Sequence, residues 1–262
     1  RDFDISAFSD LSQSAYDDLQ PTQWPVNRDH PKGRARLFDD GRFFTPSGRA
    51  QFVSVAPRSP VHAIDADYPL ILNTGRVRDQ WHTMTRTGLV AKLNQHKPEP
   101  FVEIHPLDAV HHGVAHHDVA RMESAWGNLL ARVHVSDAQT PGNVFVPMHW
   151  SETHARRGRV GALVNPVVDP LSRQPESKHT PVKIARYRAA WYGFLLSRRE
   201  RKVCDADYWV SSRSDDCHRH ELAGITLVDD WPAWARRQLA PQEPVEEAWL
   251  EYQDPGLGIY RA

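Results

Sequence analysis

Cysteine is nearly absent, with only Cys204 and Cys217 in 262 residues. Neither belongs to a Cys-x-x-Cys pair, so the common zinc, cluster and disulfide-exchange motifs are missing and the chain reads as a reduced, cytoplasmic protein with free thiols. No apolar run approaches the ~20 residues that cross a bilayer as a helix, and no basic segment followed by an apolar run is visible near Arg1. Charge of one sign is not in excess either: 32 Lys and Arg face 33 Asp and Glu, for a net charge of −1. That balance argues against general binding to duplex nucleic acid. The Gly-x-Gly-x-x-Gly fingerprint and the Gly-Lys-Ser/Thr phosphate loop are lacking, which removes the usual nicotinamide and ATP sites. A triad can be drawn from Ser151, His154 and Asp169, but no Gly-x-Ser-x-Gly elbow accompanies it. Glycine, at 14, is outnumbered by proline, at 20, which favours short elements, many connections and more strand than helix. The opening at Arg1 without Met is read as a fragment whose beginning lies upstream, or as a processed subunit.

What is present divides into three stretches. Residues 1–66 carry two turn signals between apolar runs, Asp39-Asp40-Gly41 before Phe43 and Phe44, and Pro46-Ser47-Gly48 before Phe52 and Val53, so a β-hairpin is expected there. Upstream of it, Gln23 to Val26 reads as a linker that clips onto a neighbouring body. Residues 67–188 hold short apolar runs bounded by turn residues. Leu70-Ile71-Leu72 is a strand that breaks at Asn73-Thr74-Gly75; Phe101 to Ile104 is the next; Pro106 starts a short helix that stops at Gly113. Alternation across 119–124 and 130–135, with a turn at Trp126-Gly127-Asn128, marks an antiparallel hairpin, and Val144 to Val146 is a further strand. That density of strands is expected to close into a barrel. Residues 189–262 form a mixed annex with an amphipathic helix at 231–239 and an acidic run from Glu243 through Glu246, Glu247 and Glu251 to Asp254.

The densest polar constellation is Asn73-Thr74-Gly75-Arg76-Val77-Arg78-Asp79-Gln80-Trp81-His82-Thr83-Met84-Thr85-Arg86-Thr87-Gly88, placed directly after a buried strand. Gly75 lets the backbone approach a ligand, backbone amides and threonine hydroxyls can cradle phosphate oxygens, and Arg76 can bind a pyrophosphate through two donors. Trp81 and His82 can stack on or hydrogen-bond to a heterocycle.

This string resembles the dinucleotide-contacting loop in the C-terminal domain of the molybdopterin-dependent oxidoreductases, specifically the bacterial nitrate reductases. Three further pieces agree: Glu103-Ile104-His105-Pro106 with Asp108-Ala109, Val146-Pro147-Met148-His149-Trp150, and Ala162-Leu163-Val164-Asn165 through Asp169-Pro170 to Gln174-Pro175-Glu176-Ser177-Lys178. The flanks around Phe44 to Ala50 and Trp191 to Phe194 are similar to those in cytoplasmic assimilatory enzymes. The resemblance implies a mainly β fold: a six-stranded double-psi β-barrel of the aspartate-decarboxylase type that closes over part of a bis(molybdopterin guanine dinucleotide) molybdenum cofactor. It implies cofactor contacts from Thr74, Gly75, Arg76, Val77, Arg78, Asp79, Gln80, Trp81, His82 and Thr83, with Asn165 and Lys178 joining from a later loop. Met148 and His149 match positions that line the substrate funnel. The implied reaction is reduction of nitrate to nitrite in nitrate assimilation, with a [4Fe-4S] cluster held outside this chain. Its electrons come from a ferredoxin, a flavodoxin or an NADH-dependent reductase subunit. The fragment is expected to carry no catalytic residue or metal ligand of its own and to be inactive alone.

Three other readings stay open. One is a related molybdopterin enzyme such as a formate dehydrogenase. Another is a metal-binding module, because His111, His112, His116 and His117 crowd a short stretch of a chain with 15 histidines. The last is a non-catalytic interaction barrel with an annex rich in tryptophan.

Overall fold

The computed structural model describes residues 3–54, 56–170, 172–203, 205–239, 250–254 and 256–261. The chain divides into two units, residues 1–58 and 59–262. The first contains a single turn of 3-10 helix, Ser6–Phe8, and the short helix α1, Gln13–Asp17, capped by the Ser12 hydroxyl, which accepts from the Ala15 N–H at 3.2 Å. No strand occurs before Leu70 among the described residues, so the expected β-hairpin in 1–66 is corrected to isolated turns. The turn chemistry is present, with the Phe43 N–H donating to the Gly48 carbonyl at 2.9 Å. The flanking aromatics do not alternate across a sheet. They gather instead, Phe43 stacking on Phe38 and Phe44 meeting it edge-on, and a turn without a paired ladder does not make a hairpin.

The second unit is built on a closed barrel in the order β1-β5-β2-β4-β3-β6. Its strands are β1 (Leu70–Gly75), β2 (Phe101–Ile104), β3 (Val119–Glu123), β4 (Asn128–Val135), β5 (Asn143–Pro147) and β6 (Thr180–Arg186). β1 with β5 and β2 with β4 are parallel; the other four pairings are antiparallel. This is the closed six-stranded barrel that the sequence led us to expect. Two-residue alternation fills it: Leu70 and Leu72 of β1, Leu129, Ala131 and Val133 of β4, and Val144 and Val146 of β5 point into one core. The opposite parity of β4 sends Leu130 outward into a second cluster. The short helix Pro106–His111 caps one end, with Pro106 at its first turn as expected. β1 does not break at Asn73. Its parallel register with β5 continues through Thr74↔Val146 and Gly75↔Pro147, because the ladder outlasts the apolar run.

The annex is a three-stranded antiparallel sheet, β7 (Trp191–Ser197), β9 (His218–Gly224) and β8 (Tyr208–Arg213), in that spatial order. Both of its faces are covered. Tyr208, Val210 and Ala223 pack with Val119, Leu130 and Trp150 of the barrel region, while Trp191, Leu195 and Leu222 pack with Trp234 and Ala235 of the amphipathic helix Trp231–Leu239. A polar tie reinforces the first face: the buried Tyr208 hydroxyl donates to Glu99 at 2.9 Å, and Arg132 of β4 donates its Nε–H to both Glu99 oxygens at 3.1 Å. A hairpin, Leu250–Asp254 with Leu257–Arg261, follows. Glu243, Glu246, Glu247 and Cys204 lie outside the described residues.

His220 sits between Leu195 and Ser211 in this sheet, 1% exposed, and neither ring nitrogen has a hydrogen-bond partner among the described residues. Burial, assisted by His218, pulls its pKa down from 6.5 to about 4. Above pH 6.5 the ring is neutral whether the chain is folded or not. As pH falls from 6.5 to about 4 the unfolded chain takes a proton that the folded sheet refuses, so stability drains over that window, by on the order of 3 kcal/mol in total. Denaturant titrations of the wild-type chain should show this loss, and His220→Leu should lack it; equal pH slopes in the two proteins would assign the acid sensitivity to other groups.

Candidate functional site

The site is assembled where β1 runs out. Leu70, Leu72 and Thr74 share the inward face of the strand, so Thr74 is the residue that reaches the barrel mouth. Its hydroxyl is buried without a hydrogen-bond partner among the described residues. Gly75 lies against the ring of Phe145, and a Cβ at that position would meet the ring at 3.1 Å and the Lys178 ammonium at 3.8 Å. The glycine is what lets these groups come together at the strand end. Lys178 donates to the Thr74 carbonyl from the loop before β6, bringing a positive charge to the mouth.

Beyond Gly75 the chain folds back on itself, and Arg76, Val77, Arg78, Gln80 and Trp81 line an open cleft of about 470 Å³. The two arginines there are not equivalent. Arg78 is engaged by Asp79 in a two-point ion pair, at 2.8 and 3.0 Å; the Arg78 guanidinium, with help from His96 at 2.7 Å, holds the Asp79 carboxyl below its usual range. Arg76 has no carboxylate partner among the described residues and lies over the Trp81 ring, 5.3 Å from its centre. Its charge therefore remains available to an anion, while Trp81, 57% exposed, offers an aromatic surface beside it. Gln80 is buried; its Nε2 donates to the Leu93 carbonyl at 3.1 Å, and its Oε1 has no donor among the described residues. His82 meets Trp81 edge-on at 4.8 Å, and the Thr83 hydroxyl lies 3.3 Å from that of Thr85.

The remaining expected residues are brought close by the fold, but with different employment. Asn165 is buried, and its amide nitrogen donates to the carbonyls of Glu176 and His179 at 3.0 and 2.8 Å, while its oxygen accepts from the Val167 N–H at 2.9 Å. These bonds cross-brace the loop that carries Lys178. Met148 is 44% exposed and its N–H donates to the Gly75 carbonyl at 2.9 Å. His149 is wholly buried, with one ring nitrogen bonded to Val77 and the other to His82. Sequence reasoning also passed over Met84, buried in the second core cluster with a left-handed φ of 63°, where it roots the far end of the loop. The signal was available, since Met84 is the lone large apolar residue among threonines and Arg86. The histidine-rich stretch does not assemble a metal site: among the described residues no group of three His, Cys, Asp or Glu side chains is placed to hold one. The His116 Nδ1 instead accepts from the Val135 N–H at 3.0 Å.

Among the described residues, the mouth of this closed barrel brings together a guanidinium without a carboxylate partner, an ammonium, an aromatic face and acceptors lacking donors, a set whose chemistry suits a phosphate-bearing ligand. Comparison with known proteins narrows this. Residues 70–181, which hold most of the barrel, match the family described as the molydopterin dinucleotide binding domain. The chain is 43% identical over 239 residues to a nitrate reductase of Klebsiella oxytoca, covering 91% of this chain and 27% of that protein. It is 34% identical over 165 residues to the assimilatory nitrate reductase catalytic subunit of Bacillus subtilis, covering 62% and 22%. It is 33% identical over 163 residues to the F420-dependent formate dehydrogenase subunit alpha of Methanocaldococcus jannaschii, covering 62% and 23%. The chain thus spans about a quarter of the length of these relatives.

Asn165→Ala removes the brace and leaves the Glu176 and His179 carbonyls without their donor. A loss of about 2–4 kcal/mol in urea unfolding is expected; a loss below about 0.5 kcal/mol would show that the loop stands without it.

Proposed function

We propose that this chain is the C-terminal, cofactor-holding part of a molybdenum-dependent nitrate reductase that reduces nitrate to nitrite in assimilation, and that its barrel mouth grips one half of a bis(molybdopterin guanine dinucleotide). The single observation that carries the reading is the cleft after β1: an Arg76 without a carboxylate partner among the described residues, an exposed Trp81 and a close-approach Gly75, in a barrel that matches the dinucleotide-binding family. The residues suit such a group. Arg76 and Lys178 supply positive charge for phosphates, Gly75 permits backbone approach, Thr74 and Gln80 offer oxygen atoms still without donors, and Trp81 supplies a stacking face. Val77, Arg78, Asp79, His82 and Thr83 complete the loop's wall, with Arg78 and Asp79 neutralising one another so that Arg76 is the anion clamp.

When bound, the cofactor supplies two-electron oxygen-transfer chemistry at molybdenum. This chain's own residues position it: Arg76 and Lys178 hold phosphate charge in place, Trp81 limits solvent on one side, and Met148 lies exposed beside the mouth, where the wall of a substrate funnel would run. The metal ligand and the iron–sulfur cluster are supplied from outside this chain. An electron carrier such as a ferredoxin, a flavodoxin or an NADH-dependent reductase subunit feeds them. The similarity to the Bacillus subtilis assimilatory subunit and the shortage of cysteine support a cytoplasmic setting. No helix among the described residues is long and apolar enough to cross a membrane. The similarity to a formate dehydrogenase subunit favours a second reading, in which the same barrel serves formate oxidation.

The test is to express the complete reading frame and measure molybdenum content together with nitrite formation driven by reduced viologen. Molybdenum with nitrite is the expected result; molybdenum with formate oxidation and no nitrite transfers the assignment to the second reading, and a folded product without molybdenum ends both. Within the complete enzyme, Arg76→Ala should weaken cofactor retention by roughly 10- to 100-fold, the scale of one charge-assisted contact. Arg78→Ala, already neutralised by Asp79, should change it by less than about threefold.

A further inference from the structure

His149 follows β5 and is wholly buried, yet it packs its polar ring toward a loop rather than into an apolar core. Its Nε2 accepts from the Val77 N–H at 2.9 Å, and its Nδ1 donates to the His82 carbonyl at 2.7 Å. Those two bonds define one tautomer, neutral, with the hydrogen on Nδ1. Burial holds the pKa of the ring below the usual histidine value; the bond to the His82 carbonyl works against this, and the charges of Arg76 and the His82 ring work with it. A single rigid ring therefore clasps both ends of the segment that bears Arg78, Gln80 and Trp81, three of the residues that line the cleft. The clasped segment ends in unfavourable backbone: His82 and Met84 are left-handed, with φ of 46° and 63°. Conformations of that kind persist in non-glycine residues only where neighbours over-determine them. Met84 is held by burial and His82 by the ring of His149.

We propose that His149 is the positioning residue of the cleft, a clasp that sets the curvature of residues 77–82 and so the placement of Arg76 and Trp81, without touching the ligand itself. This rests on the reading of the cleft as a nucleotide site. Both ring nitrogens are occupied by main chain, so the residue has neither the exposure nor the free atom that a funnel-lining or proton-transferring role requires. A ring that bridges an N–H and a C=O is replaceable only by a side chain offering an acceptor and a donor at similar reach. Glutamine does so; leucine fills the space and offers neither.

Two measurements on the full 262-residue chain test the clasp. Amide hydrogen exchange, without nucleotide, should accelerate roughly tenfold or more across residues 77–84 in His149→Leu while β1 and β5 stay protected; His149→Gln should recover much of that protection. Calorimetric titration with guanosine diphosphate should show affinity reduced roughly tenfold in His149→Leu and partly restored in His149→Gln, with Arg76→Ala as the control that removes a direct contact. Unchanged exchange in His149→Leu overturns the proposal, and so does accelerated exchange with unaltered nucleotide affinity, which would leave His149 a purely structural residue. Wild-type chain that ignores guanosine diphosphate overturns the nucleotide reading, and the positioning role with it; that failure is told apart from failure of the clasp by the exchange data. If His149→Leu does not fold, the decision passes to His149→Gln, whose loop exchange and affinity must then both move in the same direction by smaller amounts.

Discussion

β1 is hydrogen-bonded on both sides, parallel to β5 and antiparallel to β6, and this closure governs everything at the barrel mouth. A strand with no free edge cannot lengthen sideways or slip register without breaking two ladders at once. The chain leaving Gly75 therefore has one course, outward and back across the mouth, where its amides are no longer claimed by a sheet. Closure also aims Thr74 inward and brings Lys178, from the approach to β6, against the Thr74 carbonyl. Residues more than a hundred positions apart become neighbours because two strands of one barrel are adjacent.

Electrostatics at the mouth is local rather than global. The chain as a whole is nearly neutral, so its net charge supplies no attraction for an anion. What remains is selective pairing: Asp79 neutralises Arg78 and is bonded by His96, whereas Arg76 rests on an aromatic face and keeps its charge. An exposed ion pair contributes little to stability. Its consequence here is that, of the two arginines lining the cleft, Arg76 is the one without a carboxylate partner among the described residues.

The annex serves the same geometry from behind. Its sheet is covered by the barrel region on one face and by the helix Trp231–Leu239 on the other. The tie from Tyr208 through Glu99 to Arg132 is buried at the tyrosine, where burial and the Glu99 carboxylate push the hydroxyl pKa well above its usual value. Met84, rooted in the cluster that joins sheet and barrel, links this support to the far end of the cleft loop.

Much of the barrel was legible in the sequence, because alternation in 119–124 and 130–135, proline at the start of the helix Pro106–His111 and turn residues near 127 and 142 are local signals with local causes. The composition of the loop after β1 was legible too, since threonine, glycine, arginine and tryptophan, between Thr74 and Trp81, follow the apolar run of a buried strand. The expected hairpin in 1–66 failed because turn residues specify a reversal but not the partner ladder that a strand requires. The extension of β1 through Gly75, the pairing of Arg78 with Asp79 that singles out Arg76, and the bracing roles of Asn165 and His149 were decided by tertiary structure alone. His149 reaches Val77 across 72 positions and His82 across 67, and no local pattern encodes which backbone group a buried ring will meet. The sequence by itself determined the strands and the chemical character of the mouth; closure of the barrel decided which of those side chains stand at the cleft and which are bonded to the protein, because those bonds join residues far apart in the chain.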